Sequence, residues 1–174
     1  MILIRTIFAG ALALVFVLAG CVSNPSLPPR PLPEAIVEFS FSGRIAVRQG
    51  ETRHHAKLDW RHSIGSDDIL VTTPMGQGVA EITRDASGAH LLLADQRRFF
   101  AADWGELSQE VFGFRLPLNA SARWLLGNVA DSEGWRISVI ERESMTPDAL
   151  PTVIELERDD IAVRLKIDEW SEVR

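Results

Sequence analysis

A single cysteine, Cys21, leaves the chain unable to close a disulfide on itself. Long apolar runs are also scarce. The stretch from Ile7 to Gly20 is 14 residues, about six short of a membrane-spanning helix. Positive charge is in the minority, 18 Lys and Arg against 24 Asp and Glu, which excludes a basic nucleic-acid binder as the default and makes nucleic acid an unexpected partner. No repeat of 20 to 50 residues is present. The sequence has no G-x-S-x-G nucleophile elbow and no H-E-x-x-H, and Gly76-Gln77-Gly78 lacks the strand–loop–Lys context of a phosphate loop. Nothing positive therefore points to an enzyme or to a cofactor, although missing motifs leave an unfamiliar site open. Apolar residues, at 46%, are too frequent for a disordered chain, and the expectation is one domain that buries a core or lines an apolar cavity.

What the chain does have starts with a leader. One cation, Arg5, precedes the apolar run, and Leu18-Ala19-Gly20-Cys21 places small residues directly before the cysteine. The pattern resembles the lipobox of bacterial lipoproteins. In those proteins the thiol receives a diacylglycerol, the leader is cut before the cysteine, and the new amino group is acylated. The resemblance implies a signal peptide over 1–20, Cys21 as the lipidated first residue, and a mature chain of 154 residues with a net charge of about −7. A free cysteine is the competing reading. One acyl chain gives marginal membrane affinity, whereas three make an effectively permanent anchor. In Gram-negative lipoproteins Asp after the cysteine commonly signals inner-membrane retention. Here Val22 and Ser23 follow, which implies the outer membrane and its periplasmic face.

Residues 21–35 read as the lipidated cysteine and a tether, because Ser23 to Pro33 is rich in proline and favours extended polyproline conformations. The domain is expected over 36–174. Val37, Phe39, Phe41, Ile45 and Val47 alternate with Glu38, Ser40, Ser42, Arg44 and Arg48, and Gly43 interrupts the apolar row where a bend or bulge is expected. A second alternating run, Ala56, Leu58 and Trp60, follows a hairpin turn at Gln49-Gly50-Glu51. A meander continues through 69–73, 79–83, 89–94 and 97–101, with turns at Ser63 to Asp67 and Asp85 to Gly88. The period then changes. Asp103 reads as an N-cap with Glu106 three residues later, and Trp104, Leu107, Val111 and Phe112 share a helical face before Gly113. A second short helix is expected from Asn119 to Leu126, stopped by Gly127, and strands return at 135–140, 152–157 and 161–168.

Metal and acid–base chemistry find little support. His54 and His55 are adjacent on a strand and point to opposite faces, and His62 and His90 sit in separate strands, so no metal site is expected. The pairs Asp67-Asp68 and Asp159-Asp160 fall where turns are expected and read as turn formers. The inward row is expected to be Val37, Phe39, Phe41, Ile45, Val47, Leu58, Trp60, Ile69, Val71, Leu91, Leu93, Phe99, Trp135, Ile137, Val139, Val163 and Leu165. Residue types alone do not separate core filling from ligand lining along that row.

One loop stands out. Thr72-Thr73-Pro74-Met75-Gly76-Gln77-Gly78 joins two predicted strands and sets a large apolar residue between proline and glycine, where turn tips are usually polar. Met75 either fills a core gap from above or protrudes toward lipid, and the residues leave both open. In chain order come the lipobox, the Pro-rich tether, Phe41-Ser42-Gly43-Arg44-Ile45-Ala46-Val47 and the Trp60 strand. Pro74-Met75-Gly76, Leu116-Pro117-Leu118, Trp124-Leu125-Leu126-Gly127 and Leu165-Lys166-Ile167-Asp168-Glu169-Trp170 follow. This series resembles the LolB family of outer-membrane lipoprotein receptors from about Phe39 to Trp170.

The resemblance implies an α+β, mostly β fold: an incomplete, curved antiparallel β-barrel of about eleven strands, with helices covering the opening and an apolar cavity. It also implies a monomer that takes acylated lipoprotein cargo from the periplasmic carrier LolA, houses the acyl chains in the cavity, and inserts the cargo into outer-membrane lipid. In the family the protruding loop carries a large apolar residue, usually Leu, and that role carries over to Met75, with Pro74 and Gly76 as the rest of the insertion loop. Two competing classes are a scaffold lipoprotein whose core is filled by its own side chains and a lipid-modifying enzyme.

Overall fold

The alternation from Phe39 onward produces one continuous sheet. In the computed structural model, which describes residues 30–174 except 117, 130, 131 and 133, nine strands are present: β1 (Phe39–Gln49), β2 (Thr52–His62), β3 (Asp67–Thr72), β4 (Gly78–Asp85), β5 (Gly88–Leu93), β6 (Arg98–Ala101), β7 (Arg136–Arg142), β8 (Pro151–Arg158) and β9 (Ile161–Ser171). Their order is β6-β5-β4-β3-β2-β1-β9-β8-β7, and every described pairing is antiparallel. The first and last strands are therefore central neighbours. Arg174 reinforces the junction by accepting from the N–H groups of Val37 and Glu38 at 2.8 and 3.1 Å. β6 and β7 are the free edges, so the barrel is incomplete, as expected. Nine strands are described where the resemblance implies about eleven.

The curvature has a local cause. The β1–β9 register shifts between Ser42 and Gly43, the irregularity expected at this glycine. A Cβ at Gly43 would lie 2.5 Å from the Lys166 carbonyl oxygen, so only glycine lets the two backbones approach this closely. Further register shifts occur at Val71/Thr72 in β3 and around Glu141 in β7.

Two helices fill the concavity between the free edges. In α1 (Trp104–Phe112) the Asp103 carboxylate accepts from the Glu106 N–H at 2.8 Å, and Gly113 closes the helix with φ 81°, as the cap reading expects. α2 (Leu118–Leu125) ends one residue before the expected Leu126. α1 lies against β5 and β6 and touches α2. Among the described residues no helix is long and apolar enough to cross a membrane. The leader over 1–20, Cys21, tether residues 23–29 and Pro117 lie outside the described residues, as do the side chains of Phe112, Leu118 and Asn119. At the tether's end Pro33–Ala35 forms one turn of 3-10 helix, where an extended conformation is expected through Pro33.

Two readings are corrected. Val37 precedes β1 and is 50% exposed, so the inward row begins at Phe39: pairing with the C-terminal Arg174 holds Val37 outside the alternating ladder. Asp67 is the first residue of β3 and only 2% exposed, not a solvated turn former. Trp60 Nε1 donates to its Oδ1 at 2.9 Å, His62 Nδ1 lies 2.6 Å from the same oxygen, and Arg84 Nε donates to Oδ2 at 2.6 Å. Burial raises the Asp67 pKa, but hydrogen bonds from His62, Trp60 and Arg84 outweigh it and hold the carboxyl below the usual carboxylate range. This hub ties β2, β3 and β4 together beneath the Phe39 ring, whose centroid is 4.9 Å from that of His62. Asp159 and Asp160, by contrast, do form the β8–β9 turn, with Asp159 at φ 52°.

Candidate functional site

The β3–β4 connection is a tight, internally bonded turn. The Gly76 N–H donates to the Thr73 carbonyl at 2.8 Å, the Thr73 N–H donates to the Gln77 carbonyl at 2.8 Å, and the Gln77 N–H donates to Thr73 Oγ1 at 3.1 Å. Pro74 sits in the second position of the turn, where its fixed φ is favourable, and Gly76 takes φ 87°, which a side chain rarely adopts. Between them Met75 is 90% exposed. Of the two orientations open in the sequence, the structure has the outward one, an unbranched apolar side chain held in solvent on a hydrogen-bonded turn.

The concave face is the second part of the site. Phe39, Phe41, Leu58, Trp60, Ile69, Leu91, Trp135, Val163 and Leu165 are buried there, and Ile45, Val47, Val71, Leu93, Phe99 and Ile137 pack partly buried against them, while Val139 is half-buried on β7. They form two clusters. The larger joins the aromatic group Phe39, Phe41, Trp60 and Trp170, whose ring centroids lie 5.3–6.2 Å apart, to Trp104 and Leu107 of α1. The smaller gathers Ala120 and Trp124 of α2 with Trp135, Ile161 and Val163. α2 belongs to both, because Ala122 and Leu125 pack into the larger cluster. Its side chains occupy the concavity that the resemblance leaves for acyl chains. The expected inward row omits Ile36, Ala89, Trp104, Leu107, Trp124, Leu125, Leu150, Ile154 and Ile167, all buried in this interior.

Two donors in this interior have no acceptor among the described residues. Trp104 Nε1 and Trp135 Nε1 are buried without a hydrogen-bond partner, each costing about 1–3 kcal/mol relative to a satisfied group. The Arg158 guanidinium lies 5.9 Å from the Trp135 ring centre and caps that end of the smaller cluster. Metal chemistry gains nothing from the described residues, among which no group of three or more His, Cys, Asp or Glu side chains converges. His54 and His55 are both exposed on β2.

The family model described as "Outer membrane lipoprotein LolB" matches residues 37–133, a stretch that contains both the Met75 turn and the two helices. The chain belongs to the LolB family. The outer-membrane lipoprotein LolB of Chromobacterium violaceum is 31% identical over 91% of this chain and 96% of its own length. The LolB proteins of Dechloromonas aromatica and Azoarcus sp. are 31% and 28% identical, covering 91% and 94% of this chain and 94% and 95% of their own. Among solved structures, a LolA superfamily protein from Nitrosomonas europaea aligns with 76% of this chain and 85% of its own at a TM-score of 0.39 and 9% identity, too distant to bear on function. As a member of the LolB family, the protein is a lipid-anchored outer-membrane lipoprotein that serves lipoprotein localisation.

Proposed function

We propose that this LolB family member accepts acylated lipoproteins from the periplasmic carrier LolA, shelters their acyl chains against the concave face of the sheet, and delivers them into the outer membrane through the Met75 turn. Cys21 is the acylated residue that anchors it, residues 21–35 are the tether, and 36–174 form the receiving domain on the periplasmic face. The observation that carries the reading is Met75, 90% exposed on a turn with three internal hydrogen bonds. Exposure of a large apolar side chain on a rigid support is unfavourable in water and becomes favourable in lipid.

Energetics make a sheltering site necessary. An acyl chain in water forgoes about 0.8 kcal/mol per CH₂, or on the order of 12 kcal/mol for a whole chain. Moving it between two similar apolar sites is nearly balanced, and a difference of about 1.4 kcal/mol biases the transfer tenfold. No nucleotide is needed for direction. Acyl chains enter by taking the place of the α2 side chains Ala122, Leu125 and Trp124, exchanging one apolar contact for another. The unpaired indole donors of Trp104 and Trp135 would find acceptors in the ester carbonyls of the cargo's lipid.

Replacing Met75 by Glu tests the turn. M75E should fold with an unchanged melting temperature and lose incorporation of cargo into outer-membrane vesicles by more than tenfold, while M75L keeps it. Full incorporation by M75E would remove the turn from the mechanism. The filled concavity favours a second reading, a scaffold lipoprotein with a closed core. That reading gives no saturable uptake of a labelled acyl chain by the acylated protein in micelles, whereas the acceptor reading gives saturation.

A further inference from the structure

Of the 18 basic residues in the chain only two are lysines, Lys57 and Lys166. Both line a single cleft of about 250 Å³, together with the basic or titratable Arg44, His55 and Arg164 and the apolar Ile45, Ala46, Ala56 and Pro74; the register sets Arg44, Lys57, Lys166, His55 and Arg164 on the convex face of the sheet. No carboxylate lines it.

The strand register makes this an unfavourable arrangement on its own terms. Arg44 on β1 stands directly opposite Lys57 on β2 and directly opposite Lys166 on β9. Like charges set opposite each other across neighbouring strands repel. One row further along, Ala46 stands between His55 and Arg164. The arginines are compensated: Arg44 donates to both Asp168 oxygens at 2.6 and 3.0 Å, and Arg164 pairs with Glu155. The hydrogen bond from Arg44 keeps the Asp168 carboxyl below the usual carboxylate range, and Lys166 acts on it more weakly from a distance. Neither lysine has an ion pair or hydrogen bond of its own among the described residues. Asp59 and Glu169, opposite Ser42 in the next row, form no bridge to them. A second cleft of about 220 Å³ continues the groove past His55 and Arg164 to Arg48 and Arg53, where Glu155 and Glu157 appear. The excess positive charge is thus concentrated at the end where Pro74 closes the wall, one residue from Met75, on a protein whose net charge is negative.

We infer that this cleft seats the phosphate headgroups of anionic lipid, so that the protein docks on the membrane through a cation row on the convex face beside the apolar Met75. The inference rests on the lipid-facing reading of the Met75 turn and not on where cargo acyl chains bind. Electrostatic attraction brings the row to an anionic surface within a Debye length of about 8 Å, and Met75 supplies the apolar hold. Strong salt separates the two contributions, because at 1 M the Debye length is about 3 Å.

With two lysines in the chain, amine acetylation read by mass spectrometry reports on this cleft in the unaltered protein. The full-length acylated protein is reconstituted in vesicles of phosphatidylethanolamine and phosphatidylglycerol (3:1) and, separately, in dodecyl maltoside micelles. Both lysines should react at least tenfold more slowly in the vesicles than in micelles, and 1 M NaCl should restore their reactivity. Equal rates in both would overturn the inference. So would protection in micelles by inorganic phosphate alone, which would make the cleft a free-anion site, or protection by purified LolA where the vesicles give none. Cargo incorporation measured in the same vesicles keeps the two readings apart. Reactive lysines with normal incorporation sink the headgroup cleft alone, and protected lysines without incorporation sink the acceptor role alone.

Discussion

Asp67 shows how much a single side chain can hold together. Its two oxygens take three partners from β2 and β4 while it starts β3, and removing one member of such a buried ionic group costs about 3 kcal/mol. D67N should therefore unfold at a clearly lower urea concentration at pH 7. The native carboxyl titrates below its unfolded value, so its stabilisation is complete above the unfolded pKa of about 4 and is lost as pH falls through the lower folded pKa. The stability gap between the native protein and D67N should shrink between pH 5 and pH 2, followed by urea midpoints. A gap that stays constant over that range would place the stabilisation elsewhere. The sequence did not disclose this role, because Ser-Asp-Asp after Gly65 carries the same turn chemistry whether or not the aspartate is buried.

Elements were the most legible scale. β1 announces itself because Phe39 and Phe41 face a core while Ser40 and Ser42 do not, and a half-buried strand cannot be built otherwise. α1 is bracketed by Asp103 and Gly113, whose caps satisfy groups that every helix end leaves open. α2 was legible as a helix but not in its burial. Ala120, Ala122, Trp124 and Leu125 are all buried, which wraps more than one face and defeats a single-stripe reading. Leu150, fully buried after Thr146-Pro147-Asp148, belongs to no periodic segment. The bend at Gly43 makes a prediction at this scale. G43A must accommodate a Cβ 2.5 Å from the Lys166 carbonyl oxygen, and overpacking of this kind costs about 1–3 kcal/mol. Thermal unfolding should register a lower midpoint, and an unchanged midpoint would mean that the β1–β9 bulge relaxes freely.

At the scale of the whole molecule, an open antiparallel sheet presents two different surfaces. Its concave side is apolar and occupied by α2; its convex side is charged and carries the lysine cleft, with the Met75 turn beside it. The sequence made the first side legible through its alternating rows and the family through ordered short motifs. The orientation of Met75 and the filling of the concavity were not legible, since both depend on how distant segments meet.

On the proposed function, cargo acyl chains displace the α2 side chains and lie against the concave sheet. A cargo lipoprotein carrying a photoreactive acyl chain, presented to the full-length protein and cross-linked before release, tests it directly. Adducts are expected on concave-sheet residues such as Trp60, Ile69 and Leu165. Adducts confined to the convex face or to the Met75 turn, or none at all, would contradict it.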